Sequence, residues 1–248
     1  MAVSSVNYGR KGEAWVESSG HSNSMRAAIP NKVEATASPR KASSPAKPHK
    51  RIRRLRRAEL PSSTIDLAGY MIGKTVVHDS LQGRLAGRVV ETEAYPVGDA
   101  AGHAFPGLRI ANRSLFLNRG HAYVHFTYGS CWLFNVTSET HGIGAGVLIR
   151  ALEPLQGIEQ MMRRRGVSRV VDIARGPGRL TVALDIDKRF DGIDLCDPTS
   201  PLWLGTAVRL VGEIGVSTRI GISHEMHREL RFYERGSPYV SGPRRLRM

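Results

Sequence analysis

The stretch 122–137, AYVHFTYGSCWLFNVT, decides the fold class. Two β-prone runs, Ala122 to Tyr128 and Cys131 to Thr137, flank the pair Gly129-Ser130. A two-residue, Gly-first loop between such runs predicts a β-hairpin with a type II′ turn. Upstream, Thr75 to His78 reads as a short strand, Asp79 to Gly83 as a turn, and Arg84 to Ala94 as a longer strand with β-branched Val89, Val90 and Thr92 near its end. Downstream, Gly146 to Leu152 supplies another apolar strand, and Val208 to Val216 and Leu230 to Tyr233 return to strand-like patterns.

Helices are expected between these strands. Ser62 or Ser63 can cap a helix over Ile65 to Ile72 that Gly73 stops. Pro154 suits the first turn of a helix whose Leu155, Ile158, Met161 and Met162 share a face. That helix ends in Arg163-Arg164-Arg165-Gly166, basic at its C-terminus as the macrodipole favours. Gly176-Pro177-Gly178 opens a shorter one through Ala183, and the Gly- and Ala-rich residues 97–120 form a long connection. Strands and helices in mixed order predict an α+β fold.

The chain has 248 residues and a net charge of +14, enough for one globular domain with a tail. Residues 1–58 carry thirteen basic and three acidic residues, a net of +10. With no sustained apolar period, this stretch is expected to be a disordered basic tail, followed by a domain over 59–248 whose fold begins near Pro61. Such an arm is either a solvated tail or an element that attracts a polyanion by counterion release. Residues 41–57 also read as a nuclear signal or a DNA-binding arm.

Cys131 and Cys196 are too few for a disulfide framework and too far apart for a zinc pattern. No run approaches the roughly 18 apolar residues of a membrane span, and the N-terminus has no apolar secretory core. An intracellular, reduced protein without membrane association, metal or cofactor is expected. A eukaryotic protein of this kind would be nuclear, and a bacterial one would lie with the nucleoid.

Four features can carry chemistry. Glu91 and Glu93, two apart on a strand, project from one face beside Val89 and Leu85. In a cleft such a carboxylate becomes a usable general base, and elsewhere it pairs with an arginine such as Arg88 or Arg150. Tyr128 precedes the hairpin tip, where it acts either as a wedge in a DNA minor groove or as a cross-strand partner. His103 and His125 lack metal-ligand spacing and read as pocket or surface hydrogen-bonding residues. Arg175 and Gly176-Pro177-Gly178-Arg179 present backbone amides beside two guanidinium groups, a phosphate site or a plain turn.

Taken in order, these residues resemble the alkyladenine (3-methyladenine) DNA glycosylase family. The resemblance is carried by Val89 to Tyr95, His103, Tyr123 to Asn135, Leu148 to Pro154, Gly176-Pro177, Arg231-Phe232-Tyr233 and Gly236-Ser237-Pro238, and it runs from about residue 63 to 241. It implies a single mixed domain with a curved antiparallel sheet, similar to the C-terminal domain of formyltransferases. By the same resemblance, Glu93 activates the attacking water, the Ile220 carbonyl shares that water, and Arg150 lies beside it. Tyr95 and His125 sandwich an extruded base, His103 hydrogen-bonds it, Asn135 crowds the purine 2-position, and Tyr128 intercalates in the duplex.

The implied partner is double-stranded DNA containing damaged purines, met by a monomer. The implied reaction is hydrolytic, because no lysine stands at the place of the water-activating residue. The family often has tyrosine at position 125, where this chain has histidine, and Ser130-Cys131 replaces a bulkier pair. Histidine can stack and titrate, so base preference is expected to respond to pH. These departures also support an alternative, a catalytically silent nucleic-acid-binding protein of the same fold.

Overall fold

A computed structural model describes residues 51–127 and 129–242. Its first regular helix, α1 (Thr64–Met71), begins where the Ser63 hydroxyl accepts from the Asp66 amide (3.4 Å). It buries Leu67, Ala68 and Met71, and the chain then turns at Gly73 (φ +84°). A side chain at Gly73 would meet Val211 at 2.3 Å, so both the backbone angle and the space require glycine.

The long strand β2 (Gly83–Tyr95) organises the domain. On one side it pairs along its length with β5 (Gly146–Gln156). On the other it pairs first with β1 (Thr75–Ser80) and then, over Glu91 to Glu93, with β8 (Arg231–Glu234). The β2/β5 register shifts on either side of Glu91, where the neighbour on the opposite edge changes. Bulges bend a strand and raise its twist, and here they curl the sheet. The remaining strands are β3 (Ala122–Thr127), β4 (Cys131–Thr137), β6 (Leu202–Gly205) and β7 (Ile214–Ser217). All pairings are antiparallel, in the order β3-β4-β5-β2-β1-β6, with β7 beside β8.

Helices α2 (Ile158–Arg165) and α3 (Pro177–Leu184) complete an α+β domain around one main core that includes Val89, Phe134, Ile149, Leu152, Met161 and Leu180. Among the described residues no helix is long and apolar enough to cross a membrane.

The structure corrects four local expectations. Pro154 and Leu155 continue β5, and the helix starts only after Gly157 (φ +73°). Pro154 faces Gly87 at a register shift, where its missing N–H costs least. The hairpin strands end at Thr127 and Cys131, so the connection has three residues, and the Ser130 amide closes the turn on the Thr127 carbonyl (3.1 Å) with Gly129 at φ +62°. Glycine therefore occupies the second central position, not the first. Of 208–216 only the end is strand, while Leu202–Gly205 is a strand that the reading passed over.

The fourth correction concerns the N-terminal boundary. Residues 51–58, counted with the tail, lie on the domain. Arg54 bridges Gly205, the Leu55 amide bonds the Leu204 carbonyl (2.8 Å), and Leu55 is buried with Leu60. A dense run of arginines hid one apolar anchor. The tail expectation for residues 1–50 and the last residues of the 59–248 domain, 243–248, lie outside the described residues.

Candidate active site

Glu93 is fully buried, and its partners surround it. Oε2 accepts from the Arg150 guanidinium (3.0 Å) and from the Tyr95 hydroxyl (3.0 Å). Oε1 accepts from the Ile220 amide (2.8 Å). A carboxylate has about four acceptor positions, and among the described residues three are filled, with a single donor on Oε1. Tyr95, Arg150 and Ile220 all line a cleft of about 490 Å³, which places the carboxylate directly behind the cleft wall. That volume lies within the range of about 300–1,000 Å³ typical of small-molecule sites. The Ile220 amide thereby places that residue's backbone, whose carbonyl is expected to share the water, beside Glu93.

Glu91 shares the burial, but of its partners only Arg150 lines the cleft, and Arg231 and Ser241 do not. Its Oε1 accepts from Arg150 (3.1 Å), Arg231 (2.7 Å) and the Ser241 hydroxyl (2.9 Å), and its Oε2 from the Ser241 amide (2.6 Å). With four donors, two of them from Ser241, Glu91 anchors Arg150 and the C-terminal segment. Burial alone would lower Arg150, but Glu93 and Glu91 outweigh it and hold the guanidinium above its ordinary range. Burial and then Glu93 push the Tyr95 hydroxyl up, keeping it a proton donor to the carboxylate.

The opposite wall is made of rings. On β3 the period-2 rule puts Tyr123 and His125 on one face, where they stack at 4.9 Å with an interplanar angle of 23°. The His103 ring meets His125 edge-on at 4.2 Å, and its Nδ1 is 2.9 Å from the Tyr123 hydroxyl. Asn135, paired with Tyr123 across the hairpin, donates to the Tyr123 carbonyl (3.2 Å) and lies 3.5 Å from His125 Nδ1. All four residues line the cleft.

Burial lowers His103, and burial together with neighbouring His103 lowers His125 to about 3. Burial among the rings thus favours a neutral His125, against the pH response expected of it.

The other candidates separate. Arg175 pairs with Asp172 (2.6 Å), and Gly176 (φ +139°) precedes α3, with Pro177 and Gly178 on the cleft. Arg179 is exposed and donates to the Arg175 carbonyl (3.4 Å). Tyr128, expected to intercalate, lies outside the described residues. Arg88, named as a partner for the two glutamates, bonds Glu234 and Glu153 instead. Both cysteines are free, and among the described residues no group of three or more His, Cys, Asp or Glu could hold a metal ion.

Reading the sequence missed Tyr123 as a ring of the site, and it missed a buried ion pair behind Tyr95, between Arg219 and Asp99 (2.6 and 3.1 Å). Tyr123 was legible from its period-2 relation to His125. Nothing local marks the ion pair, whose members are 120 residues apart.

Comparison with known proteins shows the family. Residues 58–238 match the methylpurine-DNA glycosylase (MPG) family. A Mesorhizobium japonicum protein named "Putative 3-methyladenine DNA glycosylase" is 62% identical over 190 residues, 77% of this chain and 91% of the relative. Proteins of the same name from Paraburkholderia phytofirmans and Chlorobaculum tepidum are 52% identical over 192 residues and 43% over 181, covering 90% and 86% of those relatives. With a curled antiparallel α+β domain, a carboxylate buried behind a ring-lined cleft, and a match over most of its length, the chain belongs to the methylpurine-DNA glycosylase family of DNA-binding, base-excision repair hydrolases.

Proposed function

We propose that the protein excises alkylated or deaminated purines from duplex DNA by hydrolysis, leaving an abasic site. One observation carries the proposal: Glu93 is held by three donors that all line the cleft, and among the described residues its Oε1 has one donor, which leaves an acceptor position there. A water donating to that position is oriented for attack on the anomeric carbon of an extruded deoxyribose. Its oxygen bonds to that carbon while its proton passes to Glu93, and the glycosidic bond breaks with its electron pair leaving on the base.

A base inside a duplex cannot reach a buried carboxylate, so it must be extruded at a cost of a few kcal/mol. Tyr128 at the hairpin tip fills the gap it leaves. Stacking of about 1–3 kcal/mol per base against Tyr95 and His125 offsets the cost. His103 hydrogen-bonds the base and Asn135 crowds its 2-position. Arg179, with the amides after Gly176, meets a backbone phosphate, while Arg175 holds that turn through Asp172. The protein acts as a monomer, and the basic residues 1–50 add sequence-independent affinity.

The test is base release by the full chain from duplexes carrying 7-methylguanine or hypoxanthine. Release of free base without strand cleavage, and without a covalent adduct under borohydride, is expected. Tight binding without release would instead favour a catalytically silent DNA-binding protein. Deleting residues 1–50 should reduce the salt slope of non-specific binding by about 0.9 per lost phosphate contact. An unchanged slope would show that they do not touch DNA.

A further inference from the structure

Tyr95 presents two faces, and one is already occupied. The Arg219 guanidinium carbon lies 4.6 Å from the centre of the Tyr95 ring. Arg219 is fully buried, bonds both oxygens of Asp99 and donates to the Ala94 carbonyl (3.0 Å). Arg228 also reaches Asp99, at 3.5 Å. A base in the cleft therefore meets the face of Tyr95 that points away from a fixed cation.

We propose that Arg219 acts through Tyr95 to level the pocket's preference between cationic and neutral damaged purines. This rests on the excision reading given above. An aromatic face attracts cations through its negative quadrupole, and alkylation leaves many purines positively charged. A guanidinium on the far face draws that electron density toward itself and repels a second cation across the ring. On the opposite wall His103, His125, Tyr123 and Asn135 are uncharged, and Asp191 behind them is paired with Lys188 (2.6 Å). Stacking of a neutral base depends on contact area and dispersion, and loses little. A lone Tyr95 would favour cationic leaving groups on both chemistry and binding, and Arg219 removes the second advantage.

The test replaces the ion pair while keeping its shape and net charge. Asp99→Asn with Arg219→Gln in the full chain retains an amide pair behind the ring and takes both charges away, of which the guanidinium is the one against the Tyr95 face. The readout is the ratio of single-turnover excision rates, 7-methylguanine over hypoxanthine, in otherwise identical duplexes. Removing the cation should raise this ratio by about three- to tenfold, while Arg219→Lys should leave it within about twofold of the original. A purely structural role would lower both rates together and leave the ratio unchanged, which would overturn the proposal.

If thermal melting shows that the first pair does not fold, Asp99→Leu with Arg219→Met reads the same ratio, since apolar replacement of a buried ion pair is often neutral for stability. Failure of the unaltered protein to excise either lesion would reject the excision reading itself, and is thereby distinguished.

Discussion

Strand β2 carries two buried clusters of paired charges within a few residues. In the first, Arg88 is fully buried and bonds both oxygens of Glu234 and one of Glu153 (3.3 Å). Arg209 and the Gly212 amide supply further donors to these carboxylates. In the second, Arg150 and Arg231 hold Glu91 and Glu93. Burial and pairing are alike in the two, yet Arg88, Glu153 and Glu234 do not line the cleft, whereas Arg150 does. Burial of a paired carboxylate marks structure as readily as catalysis. What distinguishes Glu93 is that all three of its partners, Tyr95, Arg150 and Ile220, line the cavity.

The comparison is broken most forcefully from the structural side. Arg88→Met leaves Glu234 buried with only its peripheral donors, and should destabilise the protein by about 3–5 kcal/mol in denaturant melts. Single-turnover excision by the folded fraction should stay within about threefold. A large catalytic defect at full stability would erase the distinction between the clusters.

Glu91→Gln should fall between the two. It keeps the shape but weakens the charge-assisted bonds to Arg231, Arg150 and Ser241, at about 1.5–3 kcal/mol of stability. Arg150 would lose one of its two anchors, and excision should slow by about ten- to a hundredfold through misplacement. Full activity would show that Arg150 is held without Glu91.

The smallest effect is expected at the ring wall. Folding holds His125 neutral down to about pH 3, while the unfolded chain takes up its proton near 6.5. The unfolded state then binds more protons between these values, so stability from His125 is present above pH 6.5 and is lost as pH falls toward 3. Between pH 7.5 and 5.0 the protein should lose about 1–2 kcal/mol more stability than its His125→Phe variant. An equal loss would mean that His125 titrates normally in the fold and could tune base preference.

How much of this was legible depends on the range over which each feature is written. The hairpin and α1 were readable because aromatic and β-branched runs, Gly129 and the Ser63 cap act within a few residues. Pro154 misled because its place in β5 depends on a register shift against Gly87, on another strand. Leu55 was hidden among arginines, since only its partner Leu204 reveals it as core.

At the site, strand alternation placed Glu91 and Glu93 together but left them equivalent. The distinction lies in Ser241, 150 residues from Glu91, and in Ile220, 127 residues from Glu93. The ring wall was half legible, with His125 and Asn135 visible and the stacking of Tyr123 unseen. The Arg219–Asp99 pair left no local trace.

The central claim is that Glu93, and not its neighbour, activates the water. Its most direct test is single-turnover base release by Glu93→Gln, with duplex binding measured on the same preparation. Binding should stay within a few-fold of the original while excision falls by about 10²–10⁴-fold. Excision near the original rate would contradict the claim and pass the role to Glu91.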